Sequence, residues 1–219
     1  MGTRPHTRIL SRLATEHLGP AGLVRRGRGR VWLDDHGWWV GVVELQPSGF
    51  SRGTHLDVGV TWPWHVGEDE PHLSLGEPVR VGRFAPYESE EQFAADVEEL
   101  LRGGLAEVEE RRRANATPAA AASRVGSGAE VVGWPTWDAA VLHGIAGDGA
   151  QAAALFGAVA SGDEEVGWWR PVRERADAWR TLVTADPDAF RAELGGVIRR
   201  TRAGLGLDPD HPALAAALP

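Results

Sequence analysis

The sequence predicts an α+β protein, a helix-flanked antiparallel β-meander followed by a C-terminal helical region. Three observations predict it. Val- and Trp-rich runs, one of them alternating cleanly, lie between Gly, Pro and Asp in the first part of the chain. A capping-box sequence, Ser89-Glu90-Glu91-Gln92, marks the change to a helical period. From Trp134 onward apolar residues recur at helical spacing between Asp, Gly and Pro punctuation.

Residues 5–18 read as a helix. Ile9, Leu10, Leu13 and Leu18 form one stripe, with Arg8, Arg12 and Glu16 elsewhere, and Gly19-Pro20 ends it. Val31 and Leu33 belong to a short strand, and Asp34 to Gly37 reads as a turn. Trp38 to Leu45 is a dense strand, apolar on both faces and therefore central. Residues 54–62 alternate: Leu56, Val58, Val60 and Trp62 point one way, His55, Asp57, Gly59 and Thr61 the other. A further hairpin is expected across Leu73, Leu75, Val79, Val81 and Phe84, with Gly76 in its turn. The helix opened by Ser89 carries Phe93, Val97, Leu100, Leu101, Leu105 and Val108. Gly103-Gly104 weakens it by about 1 kcal/mol per Gly relative to Ala.

The domain reading follows from composition. Residues 1–113 form the sheet domain and 114–133 an Ala/Gly-rich linker. Residues 134–205 form the helical region and 206–219 a loose tail. Thr136, Asp148 with Gln151, and Asp186-Pro187 are helix-start signals. Trp169, Val172, Ala176, Trp179 and Val183 share one helical stripe. Ala152 and Phe156, after a Gly147-Asp148 turn, resemble part of a tetratricopeptide helix. A single such unit implies a helical hairpin and no array.

The chain has 219 residues and no cysteine, which excludes disulfides and thiolate metal sites. All 23 cationic side chains are Arg. The net charge of -8 is unevenly spread. Residues 1–33 hold seven Arg and one Glu, residues 34–110 four Arg and seventeen acids, residues 111–219 twelve Arg and thirteen acids. The acidic middle offers the basic start a partner within the chain, and the overall balance argues against nucleic acid. No apolar run approaches the roughly 20 residues that span a bilayer, and the first ten residues lack an apolar leader stretch. The expectation is a cytoplasmic protein with no membrane contact.

Ten tryptophans are the most unusual feature. Trp39, Trp62, Trp169 and Trp179 fall on expected buried faces, whereas Trp32, Trp38 and Trp64 are candidates for a ligand or partner surface. His55 and Asp57 share a strand face, with Glu44 expected alongside and Arg30 beyond it. A His-x-Asp pair of this kind can bind a metal or orient a general base. The candidate binding set is therefore Arg30, Trp32, Trp38, His55 and Asp57. His65 and His72 flank Glu68-Asp69-Glu70, an acidic loop that reads as solvated. No cofactor is expected: Gly27-x-Gly29 and Gly126-x-Gly128 lack the rest of a dinucleotide fingerprint, and no lysine is present for a P-loop. Neither a G-x-S-x-G elbow nor an H-E-x-x-H motif occurs.

The order of the N-terminal segments carries a resemblance. A helix precedes Gly22-Leu23-Val24-Arg25-Arg26-Gly27-Arg28-Gly29-Arg30-Val31-Trp32. The Trp38-Trp39 segment follows with Glu44, Leu45, Gln46 and Ser48, and then Leu56-Asp57-Val58-Gly59-Val60. This resembles an actinobacterial group of hypothetical proteins close to the bacterial domain-of-unknown-function 4304 type, over about residues 5–100. Leu23 stands where that type usually has Phe, and Asp57 where it has Asn. The resemblance implies an α+β fold and a bacterial cytoplasmic setting, and transfers no catalytic residue.

The leading functional expectation is a non-enzymatic binding or protein-interaction module with a protein partner. The alternatives are a hydrolase using His55 and Asp57, and nucleic-acid binding through Arg25, Arg26, Arg28 and Arg30.

Overall fold

In a computed structural model, described for residues 5–48, 51–65, 76–125, 133–162 and 169–218, the chain forms two compact units. The first holds residues 1–61 and 74–112, the second residues 62–73 and 113–219.

The first unit is an α+β layer pair. Helix α1 (Pro5–Leu18) matches the expected bounds, because its apolar stripe ends where Gly19-Pro20 stops the helix. Five antiparallel strands follow in sequence order, β1 (Val24–Arg25), β2 (Val31–Asp35), β3 (Val40–Pro47), β4 (Gly53–Thr61) and β5 (Gly76–Pro86). Helix α2 (Glu90–Ala114) closes the unit. Ser89 Oγ accepts from the Gln92 N–H at 3.1 Å, and Gln92 Oε1 accepts from the Glu88 N–H at 3.1 Å, so the capping sequence sets the start of α2.

Two strand boundaries differ from expectation. Asp34 and Asp35 belong to β2, opposite Gly41 and Val40. The turn is His36 to Trp39, so Trp38 and Trp39 precede β3. The Asp pair has turn composition, but buried Asp34 is held in the ladder by its ion pair with half-buried Arg112. Gly76, expected in a turn, opens β5 opposite Val60, while Leu73 and Leu75 lie outside the described residues.

Trp32, Val43, Leu45, Leu56 and Val58 line the inner sheet face. They form one core with Leu10, Leu13 and Leu18 of α1 and Phe93, Val97 and Leu101 of α2. Each such side chain, fully buried, contributes roughly 1.5–3 kcal/mol of transfer free energy. Gly103 and Gly104 weaken the helix in isolation but permit this packing. A Cβ at Gly104 would lie 2.9 Å from Leu56, and one at Gly103 would lie 2.8 Å from Val81.

The second unit is helical, with α3 (Pro118–Val125), α4 (Trp134–Ile145), α5 (Gly149–Ser161), α6 (Arg170–Ala185), α7 (Pro187–Gly204) and α8 (Pro212–Ala217). The expected linker contains α3, which buries Ala121, Ala122 and Val125. The expected loose tail contains α8, anchored by buried Leu214. Small apolar residues suffice for close helix packing. Thr136 does not cap α4; Gly133 is the N-cap and Thr136 is buried inside the helix. Trp137 stacks on Trp179 at 5.3 Å, and Phe156 and Phe190 meet Trp179 edge-on. Ala152 and Phe156 of the tetratricopeptide-like element are both buried.

Asp186 caps α7, its carboxylate accepting from the Ala189 N–H at 2.9 Å. Asp186→Ala is expected to cost about 1 kcal/mol, read from the chemical-denaturation midpoint. No described helix is long and apolar enough to cross a membrane.

Candidate functional site

The sheet alternation puts His55 and Asp57 on the outer face with Glu44 and Gln46, which pair with Asp57 and His55 respectively. The other end of that face is apolar and buried, through Leu33, Val40 and Val42. Asp57 is engaged by an arginine. The Arg80 guanidinium, directly across on β5, clasps both carboxylate oxygens at 2.8 and 2.9 Å. Hydrogen bonding to Asp57 raises the Arg80 pKa further above its ordinary range. The His55 ring tilts against Phe84 at 4.9 Å, and its buried Nδ1 has no hydrogen-bond partner. Among the described residues no nucleophile is bonded to it.

The remaining candidates do not converge on this pair. Trp32 belongs to the inner core, on the opposite sheet face. Trp38 is buried in the β2–β3 turn, beside Trp39 at 6.4 Å, at the far end of β3 from Gln46. Arg30 precedes β2, and its carbonyl accepts from the Leu45 N–H, so Val31 rather than Arg30 flanks Glu44. Burial lowers the Arg30 pKa, and its Nη1 is buried without a partner. The three uncertain tryptophans, Trp32, Trp38 and Trp64, are all core. Of the arginine cluster, Arg25 holds its own hairpin together through the Gly29 and Arg28 carbonyls and Ser11 Oγ.

A concavity of the first unit lies elsewhere. An open groove of about 740 Å³ runs between β5 and α2, lined by Val81 to Ala85, Asp96, Glu99, Leu100, Arg102, Gly103 and Ala106. Local chemistry builds it. β5 is an edge strand, paired only with β4 among the described residues. Its register slips, so that Gly82, Arg83 and Phe84 oppose His55 alone, between the pairs Thr54–Ala85 and Leu56–Val81. Gly82, at φ +62°, lets the chain bulge there. The bulge carries Phe84 toward His55 and leaves the β5 backbone beside the flank of α2.

Two contacts between a His and a buried Asp escaped the sequence reading. Asp34, 4% exposed, accepts from Arg112 Nε and Nη2 at 2.9 and 2.7 Å, and His36 Nε2 lies 2.8 Å away. The His36 ring stacks on Trp39 at 4.1 Å. Burial pushes the Asp34 carboxyl up, but the hydrogen bonds and charges of His36 and Arg112 outweigh it and hold it below the ordinary range. In the second unit buried Asp138 takes Trp64 Nε1 and His65 Nε2, both at 2.9 Å, and the His65 ring stacks on Trp134 at 3.9 Å. Trp64 and His65 are 74 and 73 residues from Asp138 in sequence, so no local motif announced the contact. Asp138→Ala leaves the buried Trp64 indole N–H and the part-buried His65 ring without this partner and is expected to cost about 2–3 kcal/mol, with altered near-ultraviolet tryptophan dichroism. Asp138→Asn, which keeps an acceptor, is expected to lose less. Residues 66–75, with the rest of the acidic loop and His72, lie outside the described residues. Among the described residues no group of three His, Asp or Glu is placed to hold a metal.

No family model, curated protein or solved structure matches the chain.

Proposed function

We propose that the protein is a non-enzymatic protein-interaction module whose binding surface is the groove between β5 and α2. The groove itself supports this reading. It combines an apolar floor of Val81, Leu100 and Ala106 with charged rims at Arg83, Asp96, Glu99 and Arg102, the composition of a recognition surface. The helical region with its tetratricopeptide-like hairpin offers a second surface suited to protein contacts. The hydrolase alternative is disfavoured by the engagement of Asp57 with Arg80 and by the absence, among the described residues, of a nucleophile bonded to His55. The nucleic-acid alternative loses Arg25 to its own hairpin. The resemblance to the domain-of-unknown-function 4304 type is compatible with a cytoplasmic module of this sort.

Ala106 is exposed, so Ala106→Trp fills the groove without touching the core. Affinity capture from bacterial lysate is expected to retain a partner on the wild-type chain and lose it on Ala106→Trp. A partner held equally by both would place the binding surface elsewhere. In a hydrolase panel His55→Ala is expected to match the wild type; turnover that depends on His55 would favour the enzyme instead.

A further inference from the structure

Resting on that reading, we infer that the occupant of the β5–α2 groove is an extended peptide segment of a partner protein, apolar along the floor and carrying Lys or Arg at the Asp96–Glu99 end. The extended form follows from the wall. β5 has no strand partner on its outer side among the described residues, and an edge strand satisfies its backbone by taking up another extended chain. The bulge at Gly82 to Phe84 keeps the regular edge short, so side chains in the groove must supply much of the selectivity.

The charge follows from α2. Residues 88–99 contain six acids, Glu88, Glu90, Glu91, Asp96, Glu98 and Glu99, and no cation. The first-turn residues Glu90 and Glu91 are accounted for by the positive end of the helix dipole, whose influence fades within that turn. Asp96 and Glu99 sit beyond it and line the groove. Glu99 is exposed and enters no ion pair among the described residues. Arg83 and Arg102 also line the groove, which confines the basic residue of the ligand to the Asp96–Glu99 end. Floor residues Val81, Leu100 and Ala106 take the apolar side chains.

The test uses the full chain and a random-peptide display library, followed by fluorescence anisotropy on the selected synthetic peptides. Selected peptides are expected to combine Lys or Arg with alternating apolar positions. Their affinity is expected to fall about tenfold or more in exposed Glu99→Lys, to weaken with added salt, and to vanish in Ala106→Trp. Circular dichroism and thermal melting of both variants verify folding. Peptides that lose binding to Ala106→Trp but lack cations and ignore Glu99→Lys would overturn this inference and leave the groove reading standing. Peptides that bind Ala106→Trp as they bind the wild type, or no enrichment at all, would overturn both.

Discussion

Gly53→Ala is expected to cost about 3 kcal/mol or more and to open the β4–β5 edge of the sheet. Gly53 opens β4 at φ +151°, a conformation that L side chains rarely adopt. Space is the harder constraint. A Cβ there would lie 2.3 Å from the Ala85 carbonyl oxygen and 2.4 Å from the Phe84 ring, well inside the roughly 3.5–4.0 Å of ordinary carbon contacts. Phe84 can turn away only by leaving His55, and the Ala85 carbonyl can move only if β5 retreats from its pairing with Thr54. Hydrogen exchange of the β4 and β5 amides, with the denaturation midpoint, measures the outcome. Gly27→Ala is the control. Its φ is +56° and nothing lies within 4 Å of the added atom, so it carries the conformational penalty alone, about 1–2 kcal/mol. Equal losses in the two variants would show that the close approach at Gly53 contributes nothing. Since Ala85 and Phe84 line the proposed binding groove, Gly53→Ala is also expected to weaken any ligand held there.

The fold was readable wherever a residue acts on its immediate neighbours. Ser89 with Gln92, and Asp186 with Pro187, announced their helices because a cap needs only the next backbone amides. Leu56, Val58 and His55, Asp57 were sorted onto opposite faces because strand alternation has a period of two. The reading failed where the deciding partner was distant in sequence. Asp34-Asp35 had turn composition, yet Arg112 lies 78 residues away. Gly103-Gly104 read as a weakness until Leu56 and Val81 supplied the reason for small residues. Alanine-rich α3 resembled a linker because the helices that bury it cannot be read locally. The candidate site suffered most. Trp32 and His55 are both on strands, but their parity sends them to opposite faces, and the two-residue difference between a strand starting at Trp38 and one starting at Val40 removed the Trp38 side chain from the sheet. The groove itself arises from a register slip and a helix flank, neither of which leaves a local motif.

Arg112→Met is expected to destabilise the first unit by about 3 kcal/mol near neutral pH, and the deficit is expected to shrink in acid. Asp34 is buried on the inner sheet face, and Arg112 supplies two of its hydrogen bonds. Removing the guanidinium leaves the carboxylate with His36 as its remaining partner among the described residues, and frees the Ala21 carbonyl that Arg112 Nη2 also binds. Methionine keeps the apolar stem, so the change reports on charge and hydrogen bonding rather than on packing. The acid dependence follows from the direction of the Asp34 shift. In the wild type the folded pKa is depressed. Its stabilising contribution is therefore complete above the unfolded value, near 3.9, and is lost as pH falls through the folded value. In Arg112→Met burial, the largest influence on this group, is no longer opposed by the guanidinium, so the folded pKa moves upward. Protonation then relieves the variant as pH falls while it costs the wild type, and the two stability curves converge. Asp34→Asn in the Arg112→Met background is expected to recover part of the loss, because a neutral amide is easier to bury than a lone carboxylate. Glu109, the third group bound by Arg112, is 59% exposed, so Glu109→Gln is expected to change stability by well under about 1 kcal/mol. A deficit in Arg112→Met that stays constant between neutral pH and acid would mean that the arginine acts through the Ala21 carbonyl and not through Asp34.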